Sequence, residues 1–336
     1  STSPRMRLSW RSRLKSLVPL ISPSPQEKLS GSSLLSSRRK CKAMAPMEKF
    51  KHGKNENKKN YLPQSEAGWL KIGKFEIEKV RIHEREIRCA LVRGPEHSPL
   101  ITMVGGIPRD PERRKNLPLI NKLYGHLALK MQDQDESSLL YNQPATGGST
   151  GEWEMETLRS RTEVLVETSR YFFDHTKASN LSLIGTSAGA YMAIRALPQF
   201  EELGIEVSKL VLLSPAAFPE NIENVPYGES FSSIIRENWD VAESPAFSLL
   251  ETYLKKGGSV FTSFFEADDP PIPRHIQNFY KNFAERLANE GTDITSAIIS
   301  GVAHNFRRID VPEGGNLVDN DSVRRTATML ADFLHQ

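Results

Sequence analysis

Residues 181–191 decide the fold of this chain, and they read Leu181-Ser182-Leu183-Ile184-Gly185-Thr186-Ser187-Ala188-Gly189-Ala190-Tyr191. The pattern is typical of a short apolar strand, a tight turn and the start of a helix. Gly185, Ser187 and Gly189 spell G-x-S-x-G, which in a nucleophile elbow exposes a serine hydroxyl at the edge of a sheet. Larger residues at the two glycines would collide with the neighbouring strand and helix. We therefore take Ser187 as the candidate nucleophile, against the alternative of a glycine-rich turn that does no chemistry or holds a phosphate.

The chain contains a second match to the same pattern, Gly147-Gly148-Ser149-Thr150-Gly151. Ser149 is separated from the preceding apolar residues, 139–141, by a polar loop that contains a proline. Ser187 directly follows an apolar run and precedes a helix rich in small residues. The context therefore favours Ser187 as the nucleophile and predicts that Ser149 belongs to a loop.

Charge divides the 336-residue chain into two unlike parts. Residues 1–60 hold 15 Lys and Arg against 3 Asp and Glu, whereas the remainder holds 29 against 38. The acidic body argues against nucleic acid as its partner. Residues 1–66 are predicted to be a disordered basic extension. Three interpretations of the extension stay open: a transit peptide within residues 1–43, an arm that touches an anionic surface, or sequence upstream of a true start at Met44 or Met47.

The remaining composition limits cofactors and location. Cys41 and Cys89 cannot form a disulfide framework and favour a reducing compartment, so we expect a cytoplasmic protein, or an organellar one if residues 1–43 are a transit peptide. No run approaches the roughly 18 apolar residues of a membrane span, so no transmembrane segment is expected. No His or Cys pair has ligand spacing, so we expect no metal and no other cofactor. The sequence does not determine the oligomeric state.

Hydrophobic periodicity predicts an α/β protein. Two antiparallel strands precede alternating strands and helices, which indicates a mostly parallel central sheet with helices on both faces. Ligands of such sheets bind at the carboxyl ends of the strands. Strands are predicted near residues 75–82, 86–92, 100–104, 138–142, 181–184, 210–213, 260–265 and 297–300, and helices near 116–132, 154–174, 275–289 and 323–335.

A serine hydroxyl needs a base and a carboxylate that orients the base. Asp269 follows the penultimate strand and His304 follows the last one, so Ser187, Asp269 and His304 have the chain order expected of a hydrolase elbow. Asp269 could instead cap the next helix, and His304 could be an ordinary polar residue. For the oxyanion, the backbone N–H groups of Ala188 and Ile107 are the candidate donors, the latter after two glycines at 105–106.

These residues resemble the α/β-hydrolase fold family from about Phe75 to the C-terminus. The resemblance rests on the elbow 185–189, on Asp269-Pro270-Pro271-Ile272-Pro273 and on Gly301-Val302-Ala303-His304, and residues 147–151 are similar to the family's glycine-rich loop after the fourth strand. The chain departs from the family in lacking a histidine before the oxyanion donor. Glu266 stands where the family often has glycine, and Glu266 and Asp268 are alternatives to Asp269 as the acid.

The resemblance implies an α/β-hydrolase domain over residues 67–336, with a small helical cap inserted at 218–258. Cap helices are expected near 231–239 and 246–256, the first carrying Phe231, Ile234, Ile235 and Trp239. It implies a serine hydrolase that cleaves a carboxylic ester, a thioester or an amide of a small acyl substrate through an acyl-enzyme, as esterase, acylglycerol lipase and serine peptidase-like members do. The alternatives are an acyltransferase with the same triad and a hydrolase-fold binding protein without catalysis.

Overall fold

The computed structural model describes residues 74–108, 110–228, 231, 233–235, 241–269, 271–309 and 318–336. The predicted extension at residues 1–66 lies outside this part of the chain. The strands are β1 (Glu76–Ile82), β2 (Arg85–Val92), β3 (Leu100–Val104), β4 (Ser137–Tyr141), β5 (Leu181–Thr186), β6 (Val207–Leu213), β7 (Ser259–Ala267), β8 (Ile294–Ala303) and β9 (Arg307–Arg308). The helices are α1 (Pro111–Lys115), α2 (Lys122–Gln132), α3 (Leu158–Thr176), α4 (Ala188–Glu202), α5 (Ala246–Lys255), α6 (Arg274–Asn289) and α7 (Asn320–His335).

The strands form one sheet in the order β1-β2-β4-β3-β5-β6-β7-β8-β9. The six strands from β4 to β8 along this order are parallel to one another, and β1, β2 and the two-residue β9 add antiparallel pairs at the two edges. The mostly parallel sheet predicted from the sequence is confirmed. All parallel strands end at the same edge, which therefore collects the loops that carry chemistry.

The direction of each crossover places the helices on two faces. The connection from β3 to β4 through α2 runs one way across the sheet, and the connections from β4 through β8 run the opposite way. Because parallel crossovers are right-handed, helices on connections of opposite direction cover opposite faces. Accordingly α2 contacts α7, whereas α3 contacts α4 and α4 contacts α5.

The central strands are buried because both of their faces are covered. Every residue of β3 and β4 is buried, and in β5 only the final threonine is partly exposed. Near-continuous apolar runs such as Leu100-Ile101-Thr102-Met103-Val104 are what such strands require. The core therefore lies along the middle of the sheet, and the elbow strand β5 is at its centre.

The segment predicted as a cap is only partly separate from the body. Helix α5 forms where the second cap helix was expected, but Phe247 packs against Phe279, Tyr280 and Phe283 of α6, with ring centroids 4.4, 4.8 and 5.2 Å away. The apolar face of α5 is thus buried against α6 of the main domain. In the first predicted cap helix, residues 231 and 233–235 are helical, with Phe231 and Ile235 buried and Ile234 partly buried, and Trp239 lies outside the described residues.

Candidate active site

Ser187 occupies the tight turn between β5 and α4 in a backbone conformation that is unfavourable for a side-chain-bearing residue. Its φ is 57° and its ψ is −123°. Its N–H donates to the Leu213 carbonyl at 2.9 Å, and its carbonyl accepts from Ala190 at 3.1 Å and from Ala216 at 3.2 Å. Such a conformation costs about 1–3 kcal/mol and persists only where the surroundings hold it. The end of β6 and the segment that follows it supply that support.

The two elbow glycines are required by close backbone contacts. A Cβ atom on Gly185 would lie 2.4 Å from Ala190 Cα. A Cβ atom on Gly189 would lie 2.5 Å from both the Val104 and the Gly105 carbonyl oxygens. Both distances are far below van der Waals contact with backbone that cannot rotate away. The backbone at the start of α4 therefore packs directly against the end of β5 and the end of β3.

The loop after β3 runs alongside the serine. A Cβ atom on Gly106 would lie 2.9 Å from Ser187 Cβ and 3.4 Å from Ser187 Oγ. Ile107 is the next residue of this loop and packs, partly buried, against the core. Ala188 is the first residue of α4, where a helical N–H has no acceptor one turn earlier. The two candidate oxyanion donors thus follow directly on Gly106 and on Ser187.

Tyr124, on α2, links the two loops and was not singled out from the sequence. Its hydroxyl donates to the Val104 carbonyl at 3.0 Å and shares a 2.6 Å hydrogen bond with Thr186 Oγ1. Burial raises the pKa of Tyr124, so the phenol stays protonated and keeps its donor. A tyrosine at helical spacing within an apolar stripe looks like any core residue, so no local signal distinguished it.

The structure brings His304 into contact with a fully buried carboxylate, and that carboxylate belongs to Asp268. His304 Nδ1 lies 2.5 Å from Asp268 Oδ1. Asp268 Oδ2 accepts hydrogen bonds from the Ser214 hydroxyl at 2.5 Å and from the Phe265 N–H at 3.1 Å. The His304 side chain is 14% exposed. Asp268 is thus held on three sides, and the imidazole keeps an open edge.

The structure brings the alternative acid Asp268, and not the first choice Asp269, into contact with His304. Asp269 is exposed, and Glu266, the other alternative, is also exposed and accepts from the Gly301 N–H at 2.7 Å. Of the three acids it is therefore Asp268 that contacts His304. The physical reason is the turn that follows β7, in which the Asp268 carbonyl accepts from the Ile272 N–H at 3.0 Å and its side chain points inward. The same turn leaves the next residue, Asp269, exposed to solvent.

Ser214 is a second residue that the sequence analysis did not single out. It follows β6 directly, is fully buried and has a φ of 47°. Its N–H donates to the Ser263 carbonyl at 2.6 Å, which ties the end of β6 to β7. Its place at the carboxyl end of a buried parallel strand was the signal that could have identified it.

The serine of the second G-x-S-x-G match is a buried residue of a partly exposed loop. Ser149 Oγ donates to the Asn142 carbonyl at 2.8 Å and accepts from the Arg88 N–H at 2.9 Å. The hydroxyl thus holds residues 147–151 against β2 and the end of β4. Its donor is already used within the loop, in agreement with the interpretation of Ser149 as a loop residue.

Metal-type clusters and membrane spans were searched in the described ranges. No group of three or more His, Cys, Asp or Glu there could hold a metal ion. No helix in the same ranges is both long and apolar enough to cross a bilayer. Cys89 is buried and free, and burial raises the pKa of its thiol, so it is held as the unreactive thiol form.

Comparison with known proteins gives structural relatives only. No protein-family model and no curated protein matches the sequence. Among solved structures, Est1E from Butyrivibrio proteoclasticus with bound ferulic acid matches with a TM-score of 0.54 and 13% identity, over 76% of this chain and 97% of that one. A protein of unknown function from Agrobacterium tumefaciens, described as an α/β hydrolase, gives a TM-score of 0.52, 16% identity and coverages of 77% and 94%. An arylesterase gives a TM-score of 0.50 and 11% identity, over 78% of this chain and 85% of that one.

At these identities the similarity concerns the fold. It agrees with the strand order, with the elbow at residues 185–189 and with the resemblance seen in the sequence. This protein adopts the α/β-hydrolase fold.

Proposed function

We propose that this protein is a serine hydrolase that cleaves a carboxylic ester of a small acyl substrate through an acyl-enzyme. Ser187 is the nucleophile, His304 the general base and then the general acid, and Asp268 the carboxylate that orients His304. The observation that carries the proposal is the 2.5 Å contact between His304 Nδ1 and the buried Asp268, at the same sheet edge as the strained Ser187. Acyl transfer needs a serine, a histidine and a carboxylate that orients the histidine, and the His304–Asp268 pair supplies the last two at the sheet edge where the elbow ends.

The proposed role of Asp268 follows from which of its hydrogen-bonding atoms can donate and which can accept. An ionised carboxylate only accepts, so the Nδ1 atom of His304 must carry a proton and donate it to Asp268. Nε2 is then the unprotonated nitrogen, which is the form that can take a proton from a serine hydroxyl. The Ser214 hydroxyl and the Phe265 N–H also donate to Asp268, so the carboxylate is held in place by donors from the end of β6, from β7 and from His304.

The reaction proceeds in two halves. Ser187 Oγ attacks the ester carbonyl carbon while its proton passes to His304 Nε2, and the carbonyl oxygen becomes an oxyanion. The tetrahedral intermediate collapses, the carbon–oxygen bond to the alcohol breaks, and His304 gives its proton to the leaving alkoxide. Water then attacks the acyl-enzyme by the same route and releases the acid and Ser187.

The oxyanion would be stabilised by the backbone N–H groups of Ala188 and Ile107. Their support is the closeness of Gly106 to Ser187 Oγ and the position of Ala188 as the first residue of α4, whose dipole also favours negative charge. Est1E and the arylesterase are esterases by name, which favours an ester over a thioester or an amide as the bond that is cleaved.

The test is labelling with a fluorophosphonate probe, which modifies activated serines, followed by peptide mapping. The chain supplies a matched control because Ser149 lies in the same G-x-S-x-G pattern. We expect label on Ser187 in the intact protein and in Ser149→Ala, and none in Ser187→Ala or His304→Ala. Unlabelled but folded intact protein, or label that survives Ser187→Ala, would contradict the proposal.

A further inference from the structure

Arg161 is a fully buried charge whose hydrogen-bonding capacity is mostly unused. The residue lies in the first turn of α3 and has no exposed surface. Its Nη2 donates to the Pro144 carbonyl at 2.6 Å, whereas Nε and Nη1 are buried and have no hydrogen-bond partner within the part of the chain that the structure describes. Burying an N–H group of a charged side chain is unfavourable unless the group has an acceptor, so the unused N–H groups of Arg161 call for one.

Two aromatic rings lie against the guanidinium of Arg161. Its guanidinium carbon lies 4.9 Å from the ring centroid of Tyr227 and 4.8 Å from that of Trp153, so the ring faces stabilise part of its charge. The hydroxyls of Tyr227 and Tyr141 are buried, and neither has a hydrogen-bond partner among the described residues. Arg161 is also close enough to Tyr141 to oppose the rise that burial causes in the pKa of that phenol. Gln143 Oε1 is a buried unpartnered acceptor in the adjoining loop, but one oxygen cannot satisfy all these hydrogens.

The positive charge of Arg161 is not balanced by an ion pair. The nearby Glu156 carboxylate is engaged by Arg85 Nε at 2.9 Å and by the Ser160 hydroxyl at 2.8 Å. Within the described part of the chain, no carboxylate lies at ion-pair distance from Arg161. Burial lowers the pKa of Arg161, yet a guanidinium keeps its proton in proteins. The missing partner is therefore an acceptor, and a negatively charged one.

The cluster lies at the same sheet edge as Ser187. Helix α3 starts after the carboxyl end of β4, and Tyr141 is the last residue of that strand. In register, Met103 of β3 is beside Leu140 of β4, and Val104 is beside Gly185 of the elbow strand. Tyr141 is therefore two strand spacings from Gly185, or about 10 Å. This is a distance that one small substrate can span.

We infer that Arg161, with the hydroxyls of Tyr141 and Tyr227, binds a carboxylate of the substrate, so that the preferred esters carry a free carboxylate remote from the bond that is cleaved. The inference rests on the proposed hydrolase function. Nη2 uses one of its two N–H groups to donate to the Pro144 carbonyl. Its second N–H group and that of Nε or Nη1 are therefore left as two parallel donors. Such a pair matches the two oxygens of a carboxylate.

The first test compares charged and neutral esters of equal length. The substrates are the 4-nitrophenyl hemiesters of succinic, adipic and suberic acid, each paired with its methyl-capped diester. We expect intact protein to favour the hemiester at one chain length. The ratio of the two kcat/KM values should fall about 10- to 100-fold in Arg161→Met, the usual size of a charge-assisted pair of hydrogen bonds. Equal kcat/KM at every length, or a preference that survives Arg161→Met, would overturn the inference.

A second variant separates binding from folding. Arg161→Met removes a buried side chain and its bond to Pro144, so the variant could unfold. Tyr227→Phe removes only a hydroxyl that has no partner, and it should leave the urea midpoint unchanged. The same variant should lower the hemiester-to-diester ratio about fivefold. A purely structural role for the cluster predicts an unchanged ratio in Tyr227→Phe, and that result would count against a carboxylate site.

A binding measurement keeps the inference separate from the hydrolase proposal. If no ester is cleaved and Ser187 takes no label, the hydrolase proposal fails, and calorimetric titration with adipate then decides about Arg161. Adipate binding to the intact protein that is lost in Arg161→Lys, which keeps the charge but not the paired N–H groups, would support the site. Absent binding, or equal binding to both proteins, would refute it.

Discussion

The adjacent carboxylates Asp268 and Asp269 allow one chemical change to be made at two neighbouring positions with opposite expected results. Asp268 is buried against His304, whereas Asp269 is exposed. In Asp268→Asn, the Phe265 N–H is a fixed backbone donor, so the amide oxygen must stay on that side and the NH2 group must face His304. His304 Nδ1 would then have to accept, and the ring proton would move to Nε2.

The size of the effect follows from this exchange of protons. With its proton on Nε2, His304 cannot accept one from Ser187, and an enforced wrong tautomer in a Ser-His-Asp triad lowers kcat about 10⁴-fold. Asp269→Asn alters an exposed side chain and should change kcat no more than about twofold. The assay is release of 4-nitrophenolate from 4-nitrophenyl acetate, with urea unfolding to show that both variants are folded. Comparable losses in the two variants, or a larger loss in Asp269→Asn, would refute the assignment of Asp268.

Two further predictions concern stability. Gly189→Ala should lower the free energy of unfolding by about 1–3 kcal/mol, because the added Cβ would lie 2.5 Å from the Val104 and Gly105 carbonyl oxygens. Urea unfolding measures the change, and Gly228→Ala is the control, since a Cβ added there meets no described atom within 4 Å. Burial raises the pKa of Glu136, so the folded chain holds this proton more tightly than the unfolded chain and loses stability as pH rises from 4.5 through the raised pKa. Glu136→Gln should lack that decline and be the more stable protein at neutral pH, and a parallel decline in both proteins would contradict the cause.

The architecture could be predicted from sequence because its signals are local. Residues 100–104 and 181–184 read as strands buried on both faces, and they form β3 and most of β5. Element boundaries were less certain. A helix was predicted from residue 116, but α2 begins at Lys122 after the cap residue Asn121. Pro118 explains the delay, since proline donates no hydrogen bond and disfavours helical backbone in the residue before it.

The sequence could predict only those residues of the candidate site that a local sequence pattern marks. The elbow carries its own glycine spacing, and His304 is the one histidine directly after the last predicted strand, so both could be proposed from the sequence. The choice between Asp268 and Asp269 depends on which way a turn directs two neighbours, and spacing along the chain does not encode that direction. The position of Ser214 after a buried strand marks it only as a residue of the loop edge, because its bond to Asp268, 54 residues away, is not encoded in any local pattern.

Asp268 and Ser214 were hard to predict for the same reason. The ends of three adjacent strands together hold Asp268 in position. Asp268 leaves β7, and its partners come from the end of β6 at Ser214, from β7 itself at Phe265 and from the end of β8 at His304. The bond from the Ser214 N–H to the Ser263 carbonyl fixes the end of β6 against β7, and the pairing of Ala267 with Ala303 fixes β8 against β7. A shift of either pairing by one residue would turn a partner of Asp268 away, because side chains alternate along a strand. The position of Asp268, the proposed acid, therefore depends on the register of the sheet, whereas that of Ser187, the proposed nucleophile, depends on one turn.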